Sequence, residues 1–228
     1  MNDRLVAHIV WDWNGTIFND SVALIQATID AFAALGLPEV TVALYQQHHT
    51  QPIPLFYERL AGRTLSDSEQ SALDAGFRRA YASYRPSSEL THDAKSALST
   101  WASLGGSQSL LSMYPREELI SLVRGMGIGS FFSRIDAPLM AGQPNKAPYL
   151  REHLRALALP EERVLLVGDS VDDVNAAREL GIPCLAYHAD AAALHSRDHL
   201  TGLGVPVVGS LMEAVAVAST PGALSCQS

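Results

Sequence analysis

Asp12-Trp13-Asn14-Gly15-Thr16, directly after the apolar run Leu5-Val6-Ala7-His8-Ile9-Val10, is the stretch on which the fold turns. An apolar run of that length reads as a buried strand, and the Asn-Gly pair behind it reads as a tight turn. Asp12 therefore falls at the C-terminal end of a buried strand, where open α/β sheets hold their reactive groups.

Towards the C-terminus, strand and helix signals alternate. Gln108–Ser112 is a short apolar run, and Pro115 with Glu117 and Glu118 suits the start of a helix. Leu119, Leu122, Val123 and Met126 repeat at helical spacing up to Gly127. Arg163–Val167 reads as a second buried strand ending at Gly168-Asp169-Ser170, and a helix from about Asp172 to Leu180 stops at Gly181. Ile182–Tyr187 and Val205–Val208 read as two further strands. Strands alternating with helices predict a parallel sheet covered on both faces, a Rossmann-like three-layer α/β core.

The first half differs. After Thr16 comes a helical stripe of Val22, Ile25, Ile29 and Phe32, ended by Gly36-Leu37-Pro38. Ser66-Asp67-Ser68-Glu69 is a capping box for a helix running towards Tyr84, and Pro86 breaks it. Helical signals continue to about residue 105 without a strand. The pattern predicts a small helical domain, residues 19–90, inserted after the first strand of a core built from residues 1–18 and 91–228. Thr220–Ser228 reads as a frayed tail.

Composition narrows the class. In 228 residues, a formal charge of −8 without a basic tract argues against binding nucleic acid through its phosphates. Two cysteines are too few for a disulfide framework. No apolar run reaches membrane-spanning length, and no signal sequence opens the chain. A cytoplasmic, enzyme-sized protein with a small-molecule partner is the expectation.

Asp12, Ser112, Lys146 and the group Asp169-Ser170-Val171-Asp172-Asp173 each lie at or just after a predicted strand end. Parallel strands gather such ends on one sheet edge. The set suits phosphoryl transfer. Asp12 can attack phosphorus as a carboxylate nucleophile. Asp169 and Asp173 can hold Mg²⁺, which prefers oxygen ligands. Ser112 and Lys146 can bind the phosphoryl oxygens, and the Lys146 cation should keep Asp12 ionised. Asp172 reads as an exposed first-turn acid.

These segments, in this order, resemble the haloacid dehalogenase superfamily. Its strand followed by Asp-x-Asp-Gly-Thr is matched by Asp12-Trp13-Asn14-Gly15-Thr16, and its strand ending in Ser or Thr by Leu110-Leu111-Ser112. Its lysine is matched by Asn145-Lys146-Ala147-Pro148, and its Gly-Asp-x-x-x-Asp by Gly168-Asp169 and Asp173. The continuation Val174-Asn175-Ala176-Ala177-Arg178 with Gly181 is similar to phosphoglycolate-phosphatase-type members, whose small helical cap sits after the first motif. The resemblance implies a Mg²⁺-dependent phosphohydrolase acting on a small phosphorylated metabolite through an aspartyl phosphate on Asp12. It implies metal ligation by Asp12, Asp169 and the main-chain carbonyl of Asn14, with Asp173 in support. It also implies phosphate contacts by Gly15 and Thr16 in the turn, and a substrate-facing cap loop at His48-His49-Thr50-Gln51-Pro52.

The chain departs from that pattern at the side chain of Asn14. Hydrolytic members carry Asp there as acid and base, whereas an amide cannot shuttle a proton. General acid–base catalysis is worth roughly 10²–10⁴-fold. The expectation is a slow or selective phosphatase, with His48 or His49 as a candidate proton donor. The rival readings are a phosphotransferase or mutase using the same Asp12, or a regulatory protein that binds phosphoryl groups without turnover. Arg59 reads equally as an anchor for a substrate carboxylate or as the solvent face of a helix. His195 and His199 have the spacing of a metal pair but no third ligand nearby in sequence, and read as a surface helix.

Overall fold

A computed structural model describes residues 6–140, 145–189 and 193–220. The chain runs through β1 (His8–Trp11), β2 (Phe18–Asn19), α1 (Ser21–Ala34), α2 (Val42–His48), α3 (Ile53–Ala61), α4 (Asp67–Tyr84) and β3 (Glu89–Leu90). It continues through α5 (Ala94–Ser103), β4 (Ser107–Leu111), α6 (Arg116–Gly125), β5 (Ile135–Asp136), α7 (Ala147–Leu157) and β6 (Val164–Gly168). It ends with α8 (Val171–Leu180), β7 (Cys184–Tyr187), α9 (Arg197–Gly202), β8 (Val207–Val208) and α10 (Leu211–Ser219).

Six strands form one sheet in the order β5-β4-β1-β6-β7-β8, and every pair is parallel. Alternate residues serve opposite layers. Ile9, Trp11, Leu110, Leu165 and Val167 meet α5, α6 and α10 through Leu98, Leu119 and Ala214. Val10, Leu111, Val164 and Leu166 meet α7 and α8 through Leu150, Leu154 and Val174. Burial on both faces is why these strands read as unbroken apolar runs. The order reverses between β1 and β6, and the crevice beyond the carboxyl ends at that switch point is where such sheets bind ligands. Asp12 follows β1 and Asp169 follows β6.

Between β2 and β3, which pair antiparallel, helices α1–α4 enclose a second apolar cluster around Phe32, Tyr45, Phe56, Tyr57 and Leu73. The Ser66–Glu69 capping box forms as expected. The α1 stripe holds at Ile25, Ile29 and Phe32 and fails at Val22. Val22 is 64 % exposed, while Ala23 and Ala27 pack on Tyr81 on one side and Ile25 and Phe32 enter the cluster on the other. The helix is covered on two flanks, so a single stripe cannot describe it.

Three short elements, β2, β3 and β5, lay outside the sequence reading; each is two residues long and offers no periodicity. From residue 221 on, the stretch read as a tail lies outside the described residues, as do Leu5 and Cys226. No described helix is long and apolar enough to cross a membrane.

Candidate active site

Asp12 leaves the sheet with its amide still bonded to the Val167 carbonyl at 2.9 Å, which fixes it against β6. The turn behind it closes through Thr16 and Phe18 amides on the Trp13 carbonyl, at 3.2 and 2.8 Å. Trp13 is fully buried and stacks on Phe18 with ring centroids 5.1 Å apart, which anchors the loop in the core. Gly15 has φ +70°, and a Cβ there would collide with the Asp169 carboxylate. The motif's glycine is thus what lets Asp169 approach the turn. Gly168 does the same for Asp173, whose carboxyl group occupies the space a Cβ would need.

Asp12, Asp169 and Asp173 converge, with one oxygen of each within 4.8 Å of the others, and all three are buried. Lys146 bridges Asp12 Oδ1 and Asp173 Oδ1 from the N-cap of α7. It does not sit at a strand end, as the sequence reading had it, because α7 begins well beyond β5. Asp173 is fully engaged: its Oδ2 accepts from the Ser170 amide at 3.1 Å and hydroxyl at 2.5 Å, capping α8. Asp169 Oδ2 is buried with no hydrogen-bond partner.

Charge is the main property of this cluster. Three carboxylates against one ammonium leave two negative charges buried, an arrangement that is costly unless paired. Burial pushes the Asp12 carboxyl up to about 7, Lys146 opposes that rise, and Asp173 reinforces it. Burial, with Asp12 and Asp173 adding to it, drives Asp169 well above its usual range. Lys146 thus favours the ionised form of Asp12, as expected, while desolvation opposes it. An orphaned buried oxygen, an all-oxygen donor set and a deficit of two positive charges fit a hard divalent cation such as Mg²⁺.

Ser112 follows β4, is buried, and its Oγ accepts from the Tyr114 amide at 3.0 Å. The Gly15 amide is spent on the Phe18 carbonyl at 2.8 Å and Asp20 Oδ1 at 3.0 Å. Thr16 is fully buried; its carbonyl accepts the Thr91 hydroxyl, and its own Oγ1 has no hydrogen-bond partner. Asp172 is half-buried, not exposed, and burial pushes its carboxyl up to about 6.

Asn14 is only partly buried, and Nδ2 donates to Asp20 Oδ2 at 2.6 Å. Tyr81 of α4 donates to the same oxygen at 2.5 Å. Asp20 is thus a fully buried carboxylate directly behind the amide, its carboxyl raised by burial. Sequence reasoning missed both Asp20 and Tyr81. Asp20 sits where a helix N-cap is expected and looks like one, although its side chain makes no cap bond.

His48 ends α2, half-buried. The His49 ring is committed elsewhere: it stacks on Tyr45, meets Phe56 edge-on, and lies with Nδ1 3.1 Å from His195 Nε2. Burial lowers His49 to about 4 and His195 to about 2, so both rings are neutral at pH 7 and His49 is a poor acid. His195 is buried before α9 begins, which corrects its reading as a surface-helix residue, and only His199 is exposed.

A parallel α/β sheet with a buried carboxylate–lysine cluster at its switch point defines an enzyme of the α/β class with oxygen-ligand metal chemistry available. A model of the haloacid dehalogenase-like hydrolase family matches residues 6–181, and the chain belongs to that family. The phosphoglycolate phosphatase of Yersinia pseudotuberculosis is 27% identical over 223 residues, spanning 89% of this chain and 95% of its own length. Among solved structures, a haloacid dehalogenase-like family hydrolase from Streptococcus pneumoniae is similar with a TM-score of 0.77 at 20% identity, covering 93% of this chain and 98% of that one. A predicted phosphoglycolate phosphatase from Haemophilus somnus gives 0.74 at 17% identity, covering 93% and 98%.

Proposed function

We propose that the protein is a Mg²⁺-dependent phosphatase that cleaves a small phosphorylated metabolite through an aspartyl phosphate on Asp12. The observation that carries this reading is the convergence of Asp12, Asp169, Asp173 and Lys146 at the switch point. Asp12, Asp169 and the Asn14 carbonyl would hold the ion, with Asp173 in support. The bound cation would supply charge compensation for the carboxylates and the phosphoryl oxygens. Lys146 and Ser112 would orient those oxygens, and Lys146 would offset the charge that develops on them. Residues 19–90 would act as a cap over the core of residues 1–18 and 91–228, excluding water when closed.

The Asn14 amide, turned towards Asp20, has no proton to give. Protonation of a poor leaving group then falls to water, so turnover is slow for alkyl phosphates and better for activated ones. The same feature favours, as a second reading, transfer of the phosphoryl group from Asp12 to an acceptor other than water. Phosphate release from p-nitrophenyl phosphate and an alkyl phosphate, with Mg²⁺, tests both. Asn14→Asp should raise alkyl phosphate hydrolysis by about 10²-fold or more. An unchanged rate overturns the missing-acid argument, and a phosphoenzyme trapped without phosphate release supports the transfer reading.

A further inference from the structure

Among the described residues, two buried side-chain oxygens without a hydrogen-bond partner border one point, Asp169 Oδ2 and Ser21 Oγ. A Cβ on Gly15 would stand 2.0 Å from the first and 3.1 Å from the second, so both face the gap that the glycine leaves. Ser21 is fully buried, and Asp169 is 5 % exposed. One water making two hydrogen bonds spans up to about 5.5 Å between its partners, which covers this gap.

Local structure carries Ser21 to this place. Asp20, the residue before it, is pinned to the turn by the Gly15 amide at 3.0 Å and by Asn14 Nδ2 at 2.6 Å. Ser21, the first residue of α1, is thereby held against Gly15. A buried hydroxyl within a helix can donate to the carbonyl one turn back, as Thr28 does to Leu24 at 3.0 Å. Ser21 has no helical turn behind it, and its hydroxyl finds no other protein group. An unpaired buried hydroxyl is costly, so the position calls for a polar ligand.

We infer that Ser21 is a positioning residue of the metal site, its hydroxyl holding a water of the cation that Asp12 and Asp169 ligate. The inference rests on the Mg²⁺ reading proposed above. Mg²⁺ keeps several of its waters when bound by carboxylates. A serine hydroxyl accepts from such a water and can donate onwards, whereas an alanine does neither. Because Ser21 opens α1, the contact ties the cation to the first helix of the insert. Asp169, Gly15 and Ser21 thus form one unit: the glycine leaves the space, and the two oxygens define its polar walls.

Calorimetric titration of the metal-free protein with MgCl₂, and urea midpoints in EDTA and in excess MgCl₂, test this. Ser21→Ala should weaken Mg²⁺ binding about tenfold or more, the scale of losing a group that orients a metal's ligands. The rise in urea midpoint that Mg²⁺ brings should shrink with it. In EDTA the midpoint of Ser21→Ala should not fall, because the variant removes an unpaired hydroxyl. Thr28→Ala, which removes a paired hydroxyl from the same helix, should behave in reverse, with a lower midpoint in EDTA and unchanged Mg²⁺ affinity. Wild-type Mg²⁺ affinity in Ser21→Ala, or a midpoint in EDTA that falls as in Thr28→Ala, overturns the inference while the Mg²⁺ reading stands. Wild-type protein that takes up no Mg²⁺ overturns that reading and this inference together.

Discussion

The sheet carries two buried polar clusters, one at its carboxyl edge and one in the layer beneath. At the edge, Asp12, Asp169 and Asp173 crowd around a single lysine, and Asp169 Oδ2 has no partner. Beneath β1 and β4, His8 reaches Ser109 Oγ at 2.7 Å, Ser109 reaches His153 Nε2 at 2.7 Å, and His153 Nδ1 reaches Asp136 at 2.7 Å. Ser109, His153 and Asp136 have the connectivity of a catalytic triad. Yet Ser109 and His153 are fully buried, both ring nitrogens of each imidazole are bonded, and no charge is left over. Triad connectivity does not make a site. An unsatisfied buried oxygen among crowded carboxyl groups at a sheet's switch point marks one, because a bound cation relieves it. A fully satisfied chain instead ties α7, and so Lys146 at its N-cap, to β4 and β1.

The largest effect that sharpens this contrast belongs to Asp12. Asp12→Asn should lower phosphate release by about 10⁴-fold or more, the scale of losing a covalent nucleophile. Its urea midpoint in metal-free buffer should not fall, since the variant removes a buried charge that desolvation already opposes. The second cluster should respond in the reverse sense. His153→Ala strands Ser109 and Asp136 and opens a cavity, costing about 3 kcal/mol in urea unfolding. Ser109→Ala should cost about 1–2 kcal/mol while leaving kcat within tenfold. A loss of 10³-fold or more in kcat for Ser109→Ala, at retained stability, would make that chain a catalytic site and break the comparison.

What sequence alone could reveal follows the same division. Residues that signal through local pattern were legible: the doubly buried strands β1, β4, β6 and β7, the Ser66–Glu69 box, and the acids placed by Asp12 and by Gly168-Asp169. Partnerships across long separations were not. Tyr81 meets Asp20 across 61 positions, His49 meets His195 across 146, and His8 meets Ser109 across 101. No periodicity encodes such pairs; the packing of one element on another creates them. The same limit misplaced Lys146 relative to a strand end, because the two-residue β5 carries too few residues to declare itself.

The dependence of stability on pH also separates the clusters. Asp12 titrates near 7 in the fold and at 3.8 ordinarily, so its contribution in metal-free protein favours the fold increasingly as pH falls from about 7 towards 4. His8 is held down to about 4 from 6.5 by burial, with His153 assisting, so its contribution is present above 6.5 and is lost as pH falls towards 4. The two clusters therefore pull stability in opposite directions across one window, and the wild-type profile hides both. Urea midpoints in EDTA between pH 7 and 4.5 resolve them. Asp12→Asn, stripped of the acid-favoured contribution, should lose stability on acidification more steeply than wild type. His8→Asn should lose it less steeply, with each difference about 1–3 kcal/mol over the window. Parallel slopes for all three proteins would mean that the edge carboxylates carry no stored charge, and the distinction between the two clusters would fail.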